Sequence, residues 1–332
     1  TSVTTEFVGY DHLSFESPVT VLTTEAEIVD SLMEGQKGTV FVEKTPFYAT
    51  MGGQVGDTGV IETANGKFIV EDTIKLRGGK FGHVGYMESG MISKGETVSL
   101  KVNVAARKDI EKNHSATHLL QKALKEVLGS HVEQKGSLVT ADRLRFDFAH
   151  FTAMTAEEIG KVEKIVNEQI QAGLEVHTDI MDVEEAKKSG AMALFGEKYS
   201  QKVRVVSMGD FSRELCGGTH VANTSSIMLF KIVSESGIAA GVRRIEAVTG
   251  KGVLEYINNS DRLIEKTAAA LKINQINEID HKAESVMAQC RELEKAVDSF
   301  KEKMAAAKAN NIMTGIKHIG EISLITAQVD GM

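Results

Sequence analysis

The sequence predicts an α+β chain of several domains, with an antiparallel β-barrel first, an α+β domain in the middle and a helical hairpin or coiled coil last. Three observations predict it. Residues 1–104 are rich in glycine and β-branched side chains, with turn signals at short intervals. Residues 105–252 mix helical and alternating apolar periods. Residues 253–312 are helical with apolar positions at alternating steps of four and three. A length of 332 residues allows two or three domains, each with its own core.

In the first segment Gly35, Gly38, Gly52-Gly53, Gly78-Gly79 and Gly95 punctuate strands expected at Val19 to Thr24, Gly38 to Val42, Gly59 to Glu62, Lys67 to Glu71 and Thr97 to Val102. A helix is expected from Arg107 to Leu128, since Leu120, Ala123, Leu124 and Val127 form a stripe and Gly129 is a natural stop. Leu144, Phe146 and Phe148 alternate with polar residues, as a half-buried strand does. Thr155 with Glu158 is a capping box opening a second helix, whose buried face is Ile159, Val162, Ile165, Val166 and Ile170. Strands follow at Leu174 to Met181, Val203 to Met208, Ile227 to Val233 and Arg244 to Val248, and Asp182 with Glu185 opens a short helix.

Further on, Ile279, Ala283, Val286, Cys290, Leu293, Val297, Phe300, Met304 and Ala307 form a coiled-coil seam, after a shorter one at Ile257, Ile264, Ala268 and Leu271. The two helices fold back as a hairpin over Lys272 to Glu278, or the longer one pairs with a second chain; the hairpin is the more economical. Cys290 is then a small buried hydrophobe. Residues 313–332 hold a strand-like run at Glu321 to Val329, which needs partners and suggests the start of a further domain. The first residue is Thr1, so a fragment or a processed product is expected.

No apolar run reaches the roughly 18 residues of a membrane span, so no membrane partner is expected. Cytoplasm is the default compartment, and two cysteines give no disulfide framework. A net charge of −8 argues against indiscriminate nucleic-acid binding, though not against a local basic patch drawn from Arg243-Arg244, Arg204, Lys198 and Lys202.

The chemistry concentrates in two short pieces, His114-Ser115-Ala116-Thr117-His118 and Cys216-Gly217-Gly218-Thr219-His220. On a helix the first two histidines stand one turn apart on one face. The glycines of the second piece let a loop fold back, so that a thiolate and an imidazole converge. Sulfur with nitrogen donors favours zinc over magnesium or calcium, which makes His114, His118, Cys216 and His220 a candidate Zn2+ ligand set, with a metal-free site built from the same residues the alternative. Ser115 stands where the HExxH metalloproteases carry their glutamate base, so protease activity is disfavoured.

Read in order, the phrases TPFYATMGGQVGDTG, HSATHLL, GAMALFGEKYSQKVRVV, CGGTH and GVRRIEAVTG resemble the editing half of bacterial alanyl-tRNA synthetases over the whole chain. Free-standing alanyl-tRNA editing proteins share the first two parts. The threonyl-tRNA synthetase editing domain shares the HxxxH and CxxxH pattern but not the barrel and tail. The resemblance implies an editing domain over residues 105–252 that deacylates mischarged Ser-tRNA(Ala) and Gly-tRNA(Ala), with the acceptor end as partner. Nothing resembles the aminoacylation domain, so the chain is not expected to charge tRNA. Gln134 is placed in the editing pocket, where an amide suits the serine hydroxyl. The Gly217-Gly218-Thr219 loop is expected beside the substrate, and Lys198, Arg243 and Arg244 are candidate tRNA-phosphate contacts by their positive charge, with a solvated surface the alternative for each. Cys216 takes a joint metal and catalytic role. Four protein ligands close a tetrahedral ion, so displacement of Cys216, a purely ordering ion and an expanding shell all stay open. Asp147 is either a carboxylate orienting a ligand histidine or a solvent-facing strand residue. Gly52-Gly53-Gln54 is a turn first and a tRNA contact second. The alternative to an enzyme is a non-catalytic, zinc-stabilised module for tRNA binding or dimerisation.

Overall fold

A computed structural model describes residues 4–188, 190, 192 and 201–326, the side chain of Lys187 excepted. The chain forms two compact units, residues 1–255 and 256–332. In the first, β1 (Ser14–Thr23), β2 (Lys37–Val42), β3 (Gly59–Glu62), β4 (Gly66–Leu76), β5 (Lys80–Ser93) and β6 (Thr97–Val102) pair antiparallel in the order β6-β3-β4-β5-β2-β1. The ends meet, because β6 also pairs with β1 through Leu100↔Phe15, which closes a barrel. Closure leaves no free edge, and Leu22, Val40, Ile61, Phe68, Met87 and Leu100 fill the inside.

Sequence patterning finds β3 and β6 with their bounds intact but misses β5, a strand of 14 residues. Gly82, Gly85 and Gly90 make that stretch look like turns. Gly85 serves close packing instead, since a Cβ there would lie 1.8 Å from the Ile69 carbonyl oxygen of the neighbouring strand.

Also on β5, His83 is fully buried, its Nδ1–H donating to the Val40 carbonyl (2.8 Å) and its Nε2 accepting from the Thr45 hydroxyl (2.7 Å). Burial pushes its pKa down to about 4, against a smaller upward effect of the Val40 hydrogen bond. The unfolded chain therefore binds the proton first on acidification. Stability should fall as pH drops from about 6.5 and level off below about 4, by about 3 kcal/mol in all. Urea unfolding across that range checks this: His83→Gln should remove part of the slope, and an unchanged slope counts against it.

Beyond the barrel run α1 (Val104–Leu128), β7 (Gln134–Val139), β8 (Leu144–Ala149), α2 (Ala156–Gln171), β9 (Val176–Asp182), α3 (Val183–Lys188), β10 (Lys202–Met208), β11 (Ser212–Leu215), β12 (Phe230–Ala239) and β13 (Val242–Thr249). The four-stranded sheet β7-β8-β13-β12 and the three-stranded sheet β9-β10-β11 are both antiparallel. Helix α1 begins before the expected Arg107 because the Asn103 side chain caps it, accepting from Ala106 N–H. Its Ala116, Leu119, Leu120, Ala123 and Leu124 pack with Phe146, Phe148 and Ile245 of the larger sheet and with Val162, Val166 and Ile170 of α2. The Thr155–Glu158 capping box opens α2 as the sequence predicts.

Helices α4 (Lys251–Ala270) and α5 (Ile279–Thr314) carry the two seams. No residue of α5 is buried among those described, and Leu293, Val297, Phe300 and Met304 face solvent. Among the described residues, the strand-like run in the last segment is Ile322–Leu324, which pairs with Lys317–Ile319 as a hairpin. Residues beyond 326 lie outside the described ones. No described helix is long and apolar enough to cross a membrane.

Candidate metal centre and adjoining cleft

Helix α1 holds His114 and His118 one turn apart, their rings stacked at 5.3 Å with 12° between planes. Strand β11 ends at Leu215 and delivers Cys216 at the head of the loop to His220. The four ligating atoms gather within 4.8 Å of one another. Cys216 Sγ lies 3.4 Å from His114 Nε2 and 3.3 Å from His220 Nε2. Tetrahedral zinc, with metal–nitrogen bonds near 2.05 Å and a metal–sulfur bond near 2.3 Å, sets nitrogen and sulfur about 3.5 Å apart. His118 Nε2 is buried and has no hydrogen-bond partner among the described residues, as an unfilled metal ligand would be. Donor set and geometry both fit the ion.

Each of these rings is held at Nδ1 by a different chemical group. His114 Nδ1 is 2.7 Å from Gln54 Oε1, His118 Nδ1 is 2.5 Å from Glu214 Oε2, and His220 Nδ1 is 3.1 Å from Ser115 Oγ. Gln54 is oriented by Thr219, whose N–H donates to Oε1 (3.0 Å) and whose hydroxyl accepts from Nε2 (2.9 Å). An oxygen therefore faces His114, which must carry its proton on Nδ1 and keep the Nε2 lone pair for a metal.

The charge balance suits a thiolate. Burial pushes the Cys216 thiol up, but His114, His220 and His118 outweigh it and hold the pKa well below the usual value. Burial likewise opposes protonation of His118, yet the Glu214 carboxylate wins and holds it well above the usual range. Burial, aided by His114, pushes His220 down to about 3.

The loop from Cys216 to His220 is clamped at its backbone. Arg204 Nη1 donates to the Gly218 carbonyl (2.8 Å), and the Tyr10 hydroxyl donates to the Gly217 carbonyl (2.6 Å). The Arg204 guanidinium lies 4.0 Å from the centre of the Tyr10 ring. Gly218 N–H donates to Cys216 Sγ (3.4 Å). A Cβ on Gly218 would lie 2.1 Å from His114 Cε1, so only glycine lets this backbone pass the ring.

Gln134 opens β7 rather than lying in a turn, and it lines a small cleft of about 40 Å³ together with His114, His118, Cys216, Thr117 and Ser137. Asp147 is not at the histidines: it pairs in two places with Arg244, at 2.7 and 2.8 Å, and Glu214 fills the orienting role instead. Arg243 pairs likewise with Glu235, at 2.5 and 2.7 Å. Lys198 lies outside the described residues. Gly52-Gly53-Gln54 is a turn as expected, closed by a Met51–Gln54 bridge, but the sequence does not show that the fold buries the Gln54 side chain against His114 and Thr219. Glu214 was legible in principle: it precedes Cys216 by two positions on a strand-like run, and alternation puts both on one face. Glu214→Gln should weaken zinc binding about 10- to 100-fold, the usual cost of a lost orienting carboxylate. Competition with a calibrated chelator measures this, and an unchanged affinity counts against the role.

The description tRNA synthetases class II (A) matches residues 1–106, and Threonyl and Alanyl tRNA synthetase second additional domain matches residues 203–246. The chain is 52% identical over 328 residues to Alanine--tRNA ligase 1 of Lachnoclostridium phytofermentans, an alignment covering 99% of this chain and 37% of that protein. The chain thus spans little more than a third of the relative it matches. The barrel, the clustered HxxxH and CxxxH pieces and these matches agree: the chain carries the second additional domain of the threonyl and alanyl tRNA synthetases, and nearly its whole length is related to part of an alanine–tRNA ligase.

Proposed function

We propose that this chain is an aminoacyl-tRNA deacylase that removes serine or glycine wrongly esterified to tRNA(Ala). The supporting observation is that three of the four candidate ligands, His114, His118 and Cys216, line one cleft with Gln134. A synthetic pocket sized for alanine discriminates poorly against smaller glycine or against an added hydroxyl, so a separate hydrolytic site raises accuracy.

His114, His118, Cys216 and His220 would hold zinc, which when bound supplies Lewis acidity or an activated water for acyl-ester cleavage. Gln134 reads the serine hydroxyl, since its amide both donates and accepts. The Gly217-Gly218-Thr219 loop borders the substrate while its backbone stays tied to Tyr10, Arg204 and Gln54. Phosphates of the acceptor end meet Lys198 and the outer edges of Arg243 and Arg244. Those two arginines are already paired with Glu235 and Asp147, so they contribute positioning more than net charge.

Incubation of the zinc-loaded chain with Ser-tRNA(Ala), Gly-tRNA(Ala) and Ala-tRNA(Ala) tests this. The first two should lose their amino acid much faster than the third, and removing zinc should abolish the difference. A second reading, a non-catalytic tRNA-binding module, is favoured by the four-ligand set, since closed zinc sites are usually structural. Equal persistence of all three esters with zinc present would establish that reading instead.

A further inference from the structure

The face of α1 that carries the two histidines continues one turn further to Gln121, three residues beyond His118. Gln121 lines the same cleft, its side chain is 5% exposed, and its Oε1 has no hydrogen-bond partner among the described residues. The Nε2 side of the amide faces the Met192 sulfur, an acceptor, at 4.0 Å, which assigns the oxygen to the other side. Glu214 also lines the cleft and is 5% exposed. It gives Oε2 to His118 and leaves Oε1 without a partner among the described residues. Buried polar atoms of native proteins are almost always paired, so two orphans in one cleft point to a missing donor. Both atoms are acceptors. A hydroxyl could serve one of them, but an ammonium has three donors and a charge that the carboxylate matches.

We propose that Gln121 Oε1 and Glu214 Oε1 receive the α-ammonium of the amino acid brought into this cleft, with Gln121 the residue that separates a free amino group from a blocked one. The inference rests on the deacylase reading in taking an aminoacyl ester as the ligand. It divides the labour of the cleft, in that Gln134 reads the side chain while Gln121 and Glu214 read the amine common to every amino acid. It also gives the site a way to spare tRNA esters whose amino group is already acylated, because an amide nitrogen carries no charge and a single N–H.

Calorimetry with 3′-seryl-amino-3′-deoxyadenosine, whose amide replaces the ester, and with its N-acetyl form tests this on the whole zinc-loaded chain. The free amine should bind about 10- to 100-fold tighter than the acetylated form, the range for a hydrogen bond to a charged group. Gln121→Met should weaken the free amine by about that factor and leave the acetylated form unchanged, and Gln121→Glu, which keeps an acceptor, should retain the preference. Equal binding of both forms by the unaltered chain overturns the proposal, as does an equal loss for both in Gln121→Met, the mark of a purely structural residue. Seryl-tRNA hydrolysis measured alongside separates the two readings. A preference for the amine without hydrolysis sinks the deacylase and keeps the ammonium site, hydrolysis without the preference does the reverse, and failure to bind either analogue overturns both.

Discussion

Arg107→Met should destabilise the chain by about 3–5 kcal/mol, the cost of leaving one partner of a buried ion pair uncompensated. Arg107 and Asp57 are each 1% exposed. Arg107 Nε donates to both Asp57 oxygens at 2.9 and 3.0 Å, Nη2 joins Asp57 as well, and Nη1 and Nη2 donate to the carbonyls of Gly9 and Pro46, each at 2.8 Å. Asp57 also accepts from Tyr48 N–H. The hydrogen bonds of the guanidinium all leave the first turn of α1 for barrel loops, so this one side chain fastens the helix bearing His114 and His118 to the barrel that supplies Gln54. Nearby Glu111 has its carboxyl pushed up to about 7 by burial, against the pull of Arg107, so losing the guanidinium should push it higher still. The double variant Arg107→Met, Asp57→Leu should recover much of the loss, because no bare carboxylate remains. Urea unfolding of the two single variants and the pair measures the coupling; a cost below about 1 kcal/mol for Arg107→Met would falsify the anchoring role.

The second large effect is expected at Cys216. Cys216→Ala removes the one anionic donor from the cluster and leaves three imidazoles facing each other. Zinc content should fall, and the proposed deacylation of seryl-tRNA should drop by roughly 10²–10³-fold, the scale of losing one preorganised electrostatic group. The fold should survive, since the loop keeps its ties to Arg204, Tyr10 and Gln54. Zinc content measured with single-turnover hydrolysis also addresses the closed four-ligand set. Retained zinc with lost hydrolysis would make the thiolate itself part of the chemistry, whereas joint loss makes it a ligand first. A variant with full zinc and full activity would remove Cys216 from the mechanism.

Much of the fold was readable because local periods encode it. Helix α2, with its capping box and its buried Val162, Val166 and Ile170, follows from spacing alone, as do strands β3 and β6. Strand β5 was hidden because its glycines answer to neighbouring strands, which a local reading takes for turns. Arg107 looked like an ordinary charge at a helix start, since nothing near it in sequence announces Asp57, 50 residues earlier. The seam of α5 is legible, but its exposure is not a property of the period.

At the candidate metal centre the identity of the four donors follows from the chain's order of residues, because a helical turn stacks residues four apart and glycines permit the return of the loop. How each imidazole is turned was decided only by folding. The groups that fix them, Gln54, Glu214 and Ser115, lie 60, 96 and 105 positions from their histidines. Hydrogen bonds act over about 3 Å and carry no trace in a local pattern, so only the assembled core brings acceptor and ring together.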